Sequence, residues 1–110
     1  MAFKKYNYAL TEIAAYDVDE VISYIQEELS NPEAAISFAD ELEEKLEDIC
    51  KNPKNGRLVE NEFLRRDDVR RFLVGNYIVY YFIDDENNRI VILRLVYGKR
   101  NQGQIVKDFK

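Results

Sequence analysis

The sequence predicts an α+β domain in which an antiparallel sheet packs on an α-helical hairpin, in the order β-α-α-β-β-β with a small C-terminal tail. Three observations predict it. Apolar residues recur at helical spacing from Val18 to Ile49, with one interruption at Asn31-Pro32. From Val69 the apolar period drops to two. Two short polar breaks, Gly75-Asn76 and Asp84–Arg89, then divide that region into three strands, and connections this short imply an antiparallel meander.

The first element is a strand from Lys4 to Leu10, where Tyr6, Tyr8 and Leu10 alternate with Lys5, Asn7 and Ala9. A helix comes next, with Thr11 available to cap it. Val18, Val21, Ile22, Ile25 and Leu29 fall on one face, and Asp17, Asp19, Glu20, Glu27 and Glu28 occupy the rest. The second helix starts at Asn31 as N-cap with Pro32 in the first position. A capping box of Ser30 and Glu33 is the alternative register. Its stripe is Ala35, Phe38, Ala39, Leu42, Leu46 and Ile49, and Pro53 stops it after about Cys50. Residues 51–64 read as a loop, with turn signals at Asn52-Pro53 and Asn55-Gly56. The strands are Val69–Val74, Tyr77–Ile83 and Ile90–Tyr97. Ile105, Val106 and Phe109 suit a short helical turn against the sheet.

At 110 residues the chain is expected to form one domain, spanning 1–110, and its 46% hydrophobic content supports a packed core. The absence of histidine excludes serine–histidine triads, histidine bases and histidine metal sites. One cysteine, Cys50, makes neither an internal disulfide nor a zinc site, and it reads as a small packing residue. No metal or cofactor is expected. No apolar run approaches the ~20 residues of a membrane span, so no membrane partner is expected and the cytoplasm is the expected location.

The net charge of −5 is unevenly divided. Residues 1–62 carry six basic and fifteen acidic side chains, a net of −9, and residues 63–110 carry ten and six, a net of +4. The helical half is acidic and the strand half basic, which favours a directed interaction surface over a uniformly basic nucleic-acid wrapper. In Tyr77–Ile83 both faces are apolar or aromatic: Tyr77, Val79, Tyr81 and Ile83 on one, Ile78, Tyr80 and Phe82 on the other. The hairpin covers one face. The C-terminal tail or another protein must cover the second.

Taken together, these residues resemble the RelE/ParE superfamily, the toxins of bacterial type II toxin–antitoxin systems. The matching pieces are Ala15-Tyr16-Asp17-Val18, Asn31-Pro32, Gly56-Arg57, Arg71, Tyr77-Ile78-Val79-Tyr80-Tyr81 and the ending Ile92 to Asn101. The resemblance covers nearly the whole chain. It implies a RelE-like fold, growth arrest and neutralisation by a cognate antitoxin. It also implies one of two targets: DNA gyrase for ParE-type members, or mRNA cut on the ribosome for RelE-type members. An inactive interaction module is a third reading, and a homodimer is compatible with the sequence.

Metal-free RNA cleavage needs a group to orient the 2′-hydroxyl, cations at the phosphate and an acid for the leaving oxygen. For a nuclease, the resemblance carries these roles onto Arg71, Arg94 and Tyr97. For target binding the expected residues are Arg70, Lys99 and Arg100, and the second apolar face of the Tyr77–Ile83 strand makes Ile78, Tyr80 and Phe82 the expected antitoxin site. Tyr97-Gly98-Lys99-Arg100-Asn101 is closer to the ParE-type ending, so the gyrase reading leads.

Overall fold

The computed structural model describes residues 5–109, so Lys4, expected in the first strand, lies outside the described residues. The strands are β1 (Asn7–Leu10), β2 (Arg57–Leu58), β3 (Arg70–Val74), β4 (Tyr77–Asp84) and β5 (Arg89–Tyr97). The helices are α1 (Glu12–Ser23), α2 (Pro32–Lys51) and α3 (Gln102–Val106). The sheet runs β1-β5-β4-β3-β2. Strands β3, β4 and β5 form the expected antiparallel meander, β2 adds an antiparallel edge within the stretch read as a loop, and β1 joins parallel to β5. No tight turn links β1 to β5, so nothing in the connection forces the antiparallel sense.

Local chemistry sets the hairpin. Thr11 caps α1, its Oγ1 accepting from the Ala14 amide at 3.1 Å. Asn31 caps α2, its Oδ1 accepting from the Ala34 amide at 3.1 Å, with Pro32 in the first turn. The Asn31 register is therefore the one used, and the Ser30 hydroxyl instead reaches back to the Glu27 carbonyl. The end of α1 widens into a π-helical turn over Tyr24–Glu28. This wider turn rotates the chain beyond it, and it takes Leu29 off the apolar stripe to an exposed position. Ser30 then sits at φ +48°. A side chain there carries left-handed strain, so Ser30→Gly is expected to raise stability by about 0.5–1 kcal/mol, read as a higher melting midpoint.

The two sheet faces are covered by different things. Ala14, Leu42, Leu46, Ile49 and Cys50 from the helices pack on Val74, Val79, Tyr81, Ile90, Ile92 and Leu95. On the opposite face Val69, Ile78, Tyr80 and Val96 pack under Ile105, Val106 and Phe109 of the tail. The chain's own tail thus covers the second face. Register slips between Tyr80 and Tyr81: Tyr80 faces Arg94 and Tyr81 faces Ile92, so Leu93 and Arg94 form a β-bulge. That extra residue breaks the simple alternation read from Leu93-Arg94-Leu95.

β1 pairs with β5 only as far as Ile92, which leaves the rest of that edge open. The start of α1 closes it. The Thr11 amide donates to the Ile92 carbonyl and its hydroxyl to the Leu93 carbonyl, both at 3.1 Å. The Asp17 carboxylate then accepts from the Leu95 amide at 3.1 Å. Asp17, read from the sequence as part of the polar side of its helix, is buried at 9% exposure because it serves this strand edge.

Candidate functional site: a basic cleft on the tail side of the sheet

Pairing register puts Arg57 opposite Arg71, and Arg71 opposite Tyr80, so the three side chains form a row on the tail side of the sheet. The row opens into a cleft of about 520 Å³, walled by Leu58 to Asn61 on one side and Gln102 of α3 on the other. Tyr80 is buried at the floor, and its hydroxyl donates to Gln102 Oε1 at 2.6 Å. The Gln102 amide group donates in turn to the carbonyls of Tyr97, Gly98 and Arg100, the last at 2.8 Å. Burial pushes the Tyr80 phenol above its ordinary pKa, against a smaller opposing pull from Arg71, so the phenol stays protonated.

Of the three residues assigned to RNA cleavage, only Arg71 lies in this cleft. Arg94 is turned to α1, where its Nε and Nη2 reach Asp17 at 2.7 and 3.1 Å. The pair is nearly sealed, with side-chain exposures of 15% and 10%. Tyr97 lies across from Tyr77 on the helix side of the sheet, with ring centroids 5.7 Å apart. The structure therefore does not bring Arg71, Arg94 and Tyr97 together.

The residues assigned to target binding also divide. Arg70 spends its guanidinium on the carbonyls of Lys54 and Gly56, at 3.2 and 2.8 Å, and so fastens the loop before β2. Lys99 and Arg100 are exposed on the turn after β5. Among the residues assigned to the antitoxin, Ile78 and Tyr80 are buried under the tail, with Phe109 edge-on to Tyr80 at 5.4 Å. They form no accessible patch, because the tail supplies the cover that a partner was expected to supply. Phe82 is half-buried beneath the Arg66 guanidinium, 4.1 Å from its centroid, and Arg66 is bidentate to Asp68.

Sequence reasoning did not single out Arg57, Asn61 or Gln102 as site residues. β2 is two residues long, too short for periodicity to register, although Gly56-Arg57 was a visible motif. Among the described residues no helix is long and apolar enough to cross a membrane.

The family model for the ParE toxin of type II toxin–antitoxin systems, parDE, matches residues 8–102. The chain belongs to the ParE toxin family. It is the toxin component of a type II toxin–antitoxin system. Solved structures share the fold of this ParE-family toxin at low identity. The RelBE2 toxin–antitoxin complex of Mycobacterium tuberculosis is 23% identical, with a TM-score of 0.61 over 87% of this chain and 94% of that one. The chromosomal ParDE system of P. aeruginosa is 19% identical, with a TM-score of 0.66 over 86% and 97%. A mutant of the E. coli toxin RelE in the free state is 15% identical, with a TM-score of 0.60 over 94% of each chain. No curated protein matches the sequence significantly.

Proposed function

We propose that this ParE-family toxin arrests growth by binding and inhibiting an essential protein, with DNA gyrase as the target, rather than by cutting mRNA. One observation carries the reading: Arg71, Arg94 and Tyr97 sit at three separate places, one in the cleft, one locked to Asp17 and one on the opposite face. Cleavage needs base, cation and acid within reach of a single phosphate. Binding needs no such convergence, and the exposed pair Lys99-Arg100 suits it. A cognate antitoxin neutralises the toxin in this reading, and the RelBE2 and ParDE neighbours were solved as toxin–antitoxin systems. An antitoxin segment that uses the face of Ile78, Tyr80 and Phe82 must displace residues 102–109.

The test pairs two assays. Purified toxin is expected to inhibit supercoiling by gyrase, and Lys99→Ala with Arg100→Ala to weaken that inhibition at least about tenfold, as loss of two contacts of roughly 1 kcal/mol each would. Primer extension after induction is expected to find intact transcripts. Ribosome-dependent cuts that vanish in Arg94→Ala or Tyr97→Phe would instead make it a nuclease. Normal growth on expression without an antitoxin would make it an inactive interaction module.

A further inference from the structure

We infer that Arg57 and Arg71 form a two-guanidinium clamp for a carboxylate side chain on a protein partner of this toxin, an inference that rests on the protein-binding reading above. Four arginines among the described residues are half-buried: Arg66, Arg70, Arg71 and Arg94. Three are satisfied: Arg66 by Asp68, Arg70 by two carbonyls, Arg94 by Asp17. Arg71 alone of the four has no hydrogen-bond or ion-pair partner among the described residues.

Its nearest cross-strand neighbour makes the imbalance worse. Arg57 stands directly opposite in the ladder, a like-charge arrangement that weakens a sheet, and it too has no partner among the described residues. Arg57 and Arg71 line the same cleft as Tyr80, whose hydroxyl is tied to Gln102. A sheet that sets two cations opposite each other in one cleft has the charge arrangement of an oxyanion-binding site.

The surroundings select a single carboxylate over a nucleic-acid strand. A strand needs a track of cations along several phosphates. Here the clamp has two, Glu60 lines the same cleft, and Glu62, Asp67 and Asp68 lie in the adjoining loop. A polyanion laid across the cleft meets all of those charges, whereas one Asp or Glu side chain inserted between the two arginines meets only Glu60. Planar forks match a carboxylate bidentately, so the cleft would select for acidic residues by geometry as well as charge.

The experiment uses the full chain and a dicarboxylate, glutarate, as the probe. Melting midpoints are compared in glutarate and in sodium chloride at matched ionic strength. At about five times its dissociation constant, glutarate is expected to raise the wild-type midpoint by about 4 °C. The shift should disappear in Arg71→Gln, shrink in Arg71→Lys, and persist in Arg65→Gln, which alters an exposed arginine outside the cleft. Equal shifts in wild type and Arg71→Gln would overturn the clamp. So would a single-stranded RNA octamer that stabilises the protein more than glutarate does and depends on Arg71, since the site would then serve nucleic acid. Should Arg71→Gln fold poorly, Arg57→Gln gives the same readout from the exposed side of the pair. None of these midpoints depends on gyrase, so the clamp and the choice of target fail separately.

Discussion

An Asp17→Ala variant is expected to lose about 3–5 kcal/mol of folding stability, the cost of removing one partner from a buried ion pair. The carboxylate accepts two hydrogen bonds from Arg94 and a third from the Leu95 amide. Alanine would leave a guanidinium only 15% exposed without an anion, and an amide at the strand edge without an acceptor. With a total stability of about 5–15 kcal/mol for such a domain, this one change would bring it close to unfolding. Urea denaturation would read the loss directly. Asp17→Leu combined with Arg94→Leu should recover much of it, because two apolar side chains need no neutralisation. The exposed Lys5–Glu47 pair is the control: Glu47→Ala should change little. An Asp17→Ala protein with the wild-type midpoint would mean that the pair contributes nothing to the fold.

Gly56→Ala is expected to cost about 3 kcal/mol, from overpacking together with broken hydrogen bonds. A methyl group there would meet the Tyr81 hydroxyl and lie 2.7 and 2.8 Å from its ring carbons. Tyr81 cannot yield. It is fully buried, its hydroxyl donates to the Pro53 carbonyl at 2.7 Å, and the same hydroxyl oxygen accepts from the Gly56 amide at 3.0 Å. Its ring also leans on Phe72, with centroids 5.8 Å apart. The backbone at Gly56 is extended, so the requirement is for space and not for an unusual dihedral. Tyr81→Phe should cost less, since it removes the hydroxyl and keeps the packed ring. Similar midpoints for Gly56→Ala and wild type would mean that the glycine and the tyrosine do not touch in solution. Because Arg57 is the next residue after Gly56, displacing this segment should also abolish the glutarate effect.

The helical hairpin was legible because caps and stripes act within a few residues of each other: Asn31-Pro32 starts α2, and Leu42, Leu46 and Ile49 do face the core. The meander was legible for the same reason. The features that escaped depend on distant partners. Asp17 is buried for the sake of an amide 78 residues away, and no helical period encodes that. The bulge at Leu93-Arg94 reverses the alternation of β5 without any glycine to announce it. The π turn displaces Leu29 although its spacing from Ile25 suits an ordinary helix. For the second face of β4 the sequence pointed to an antitoxin as cover, with the tail as the other option, and Ile105, Val106 and Phe109 of the tail are what pack there. In the cleft, Arg71 was legible through the family resemblance. Arg57 gained meaning only from the register that sets it opposite.

The parallel pairing of Asn7–Leu10 with Arg89–Ile92 ties the first strand of the toxin to its last. During synthesis the N-terminal strand has no ladder to join until the final strand has left the ribosome. The helical hairpin must wait beside it with its apolar stripes uncovered. Pairing across such a separation is slow to close. Until that strand has emerged a nascent toxin is therefore unfinished, and its shape, and any power to harm its host, wait on it.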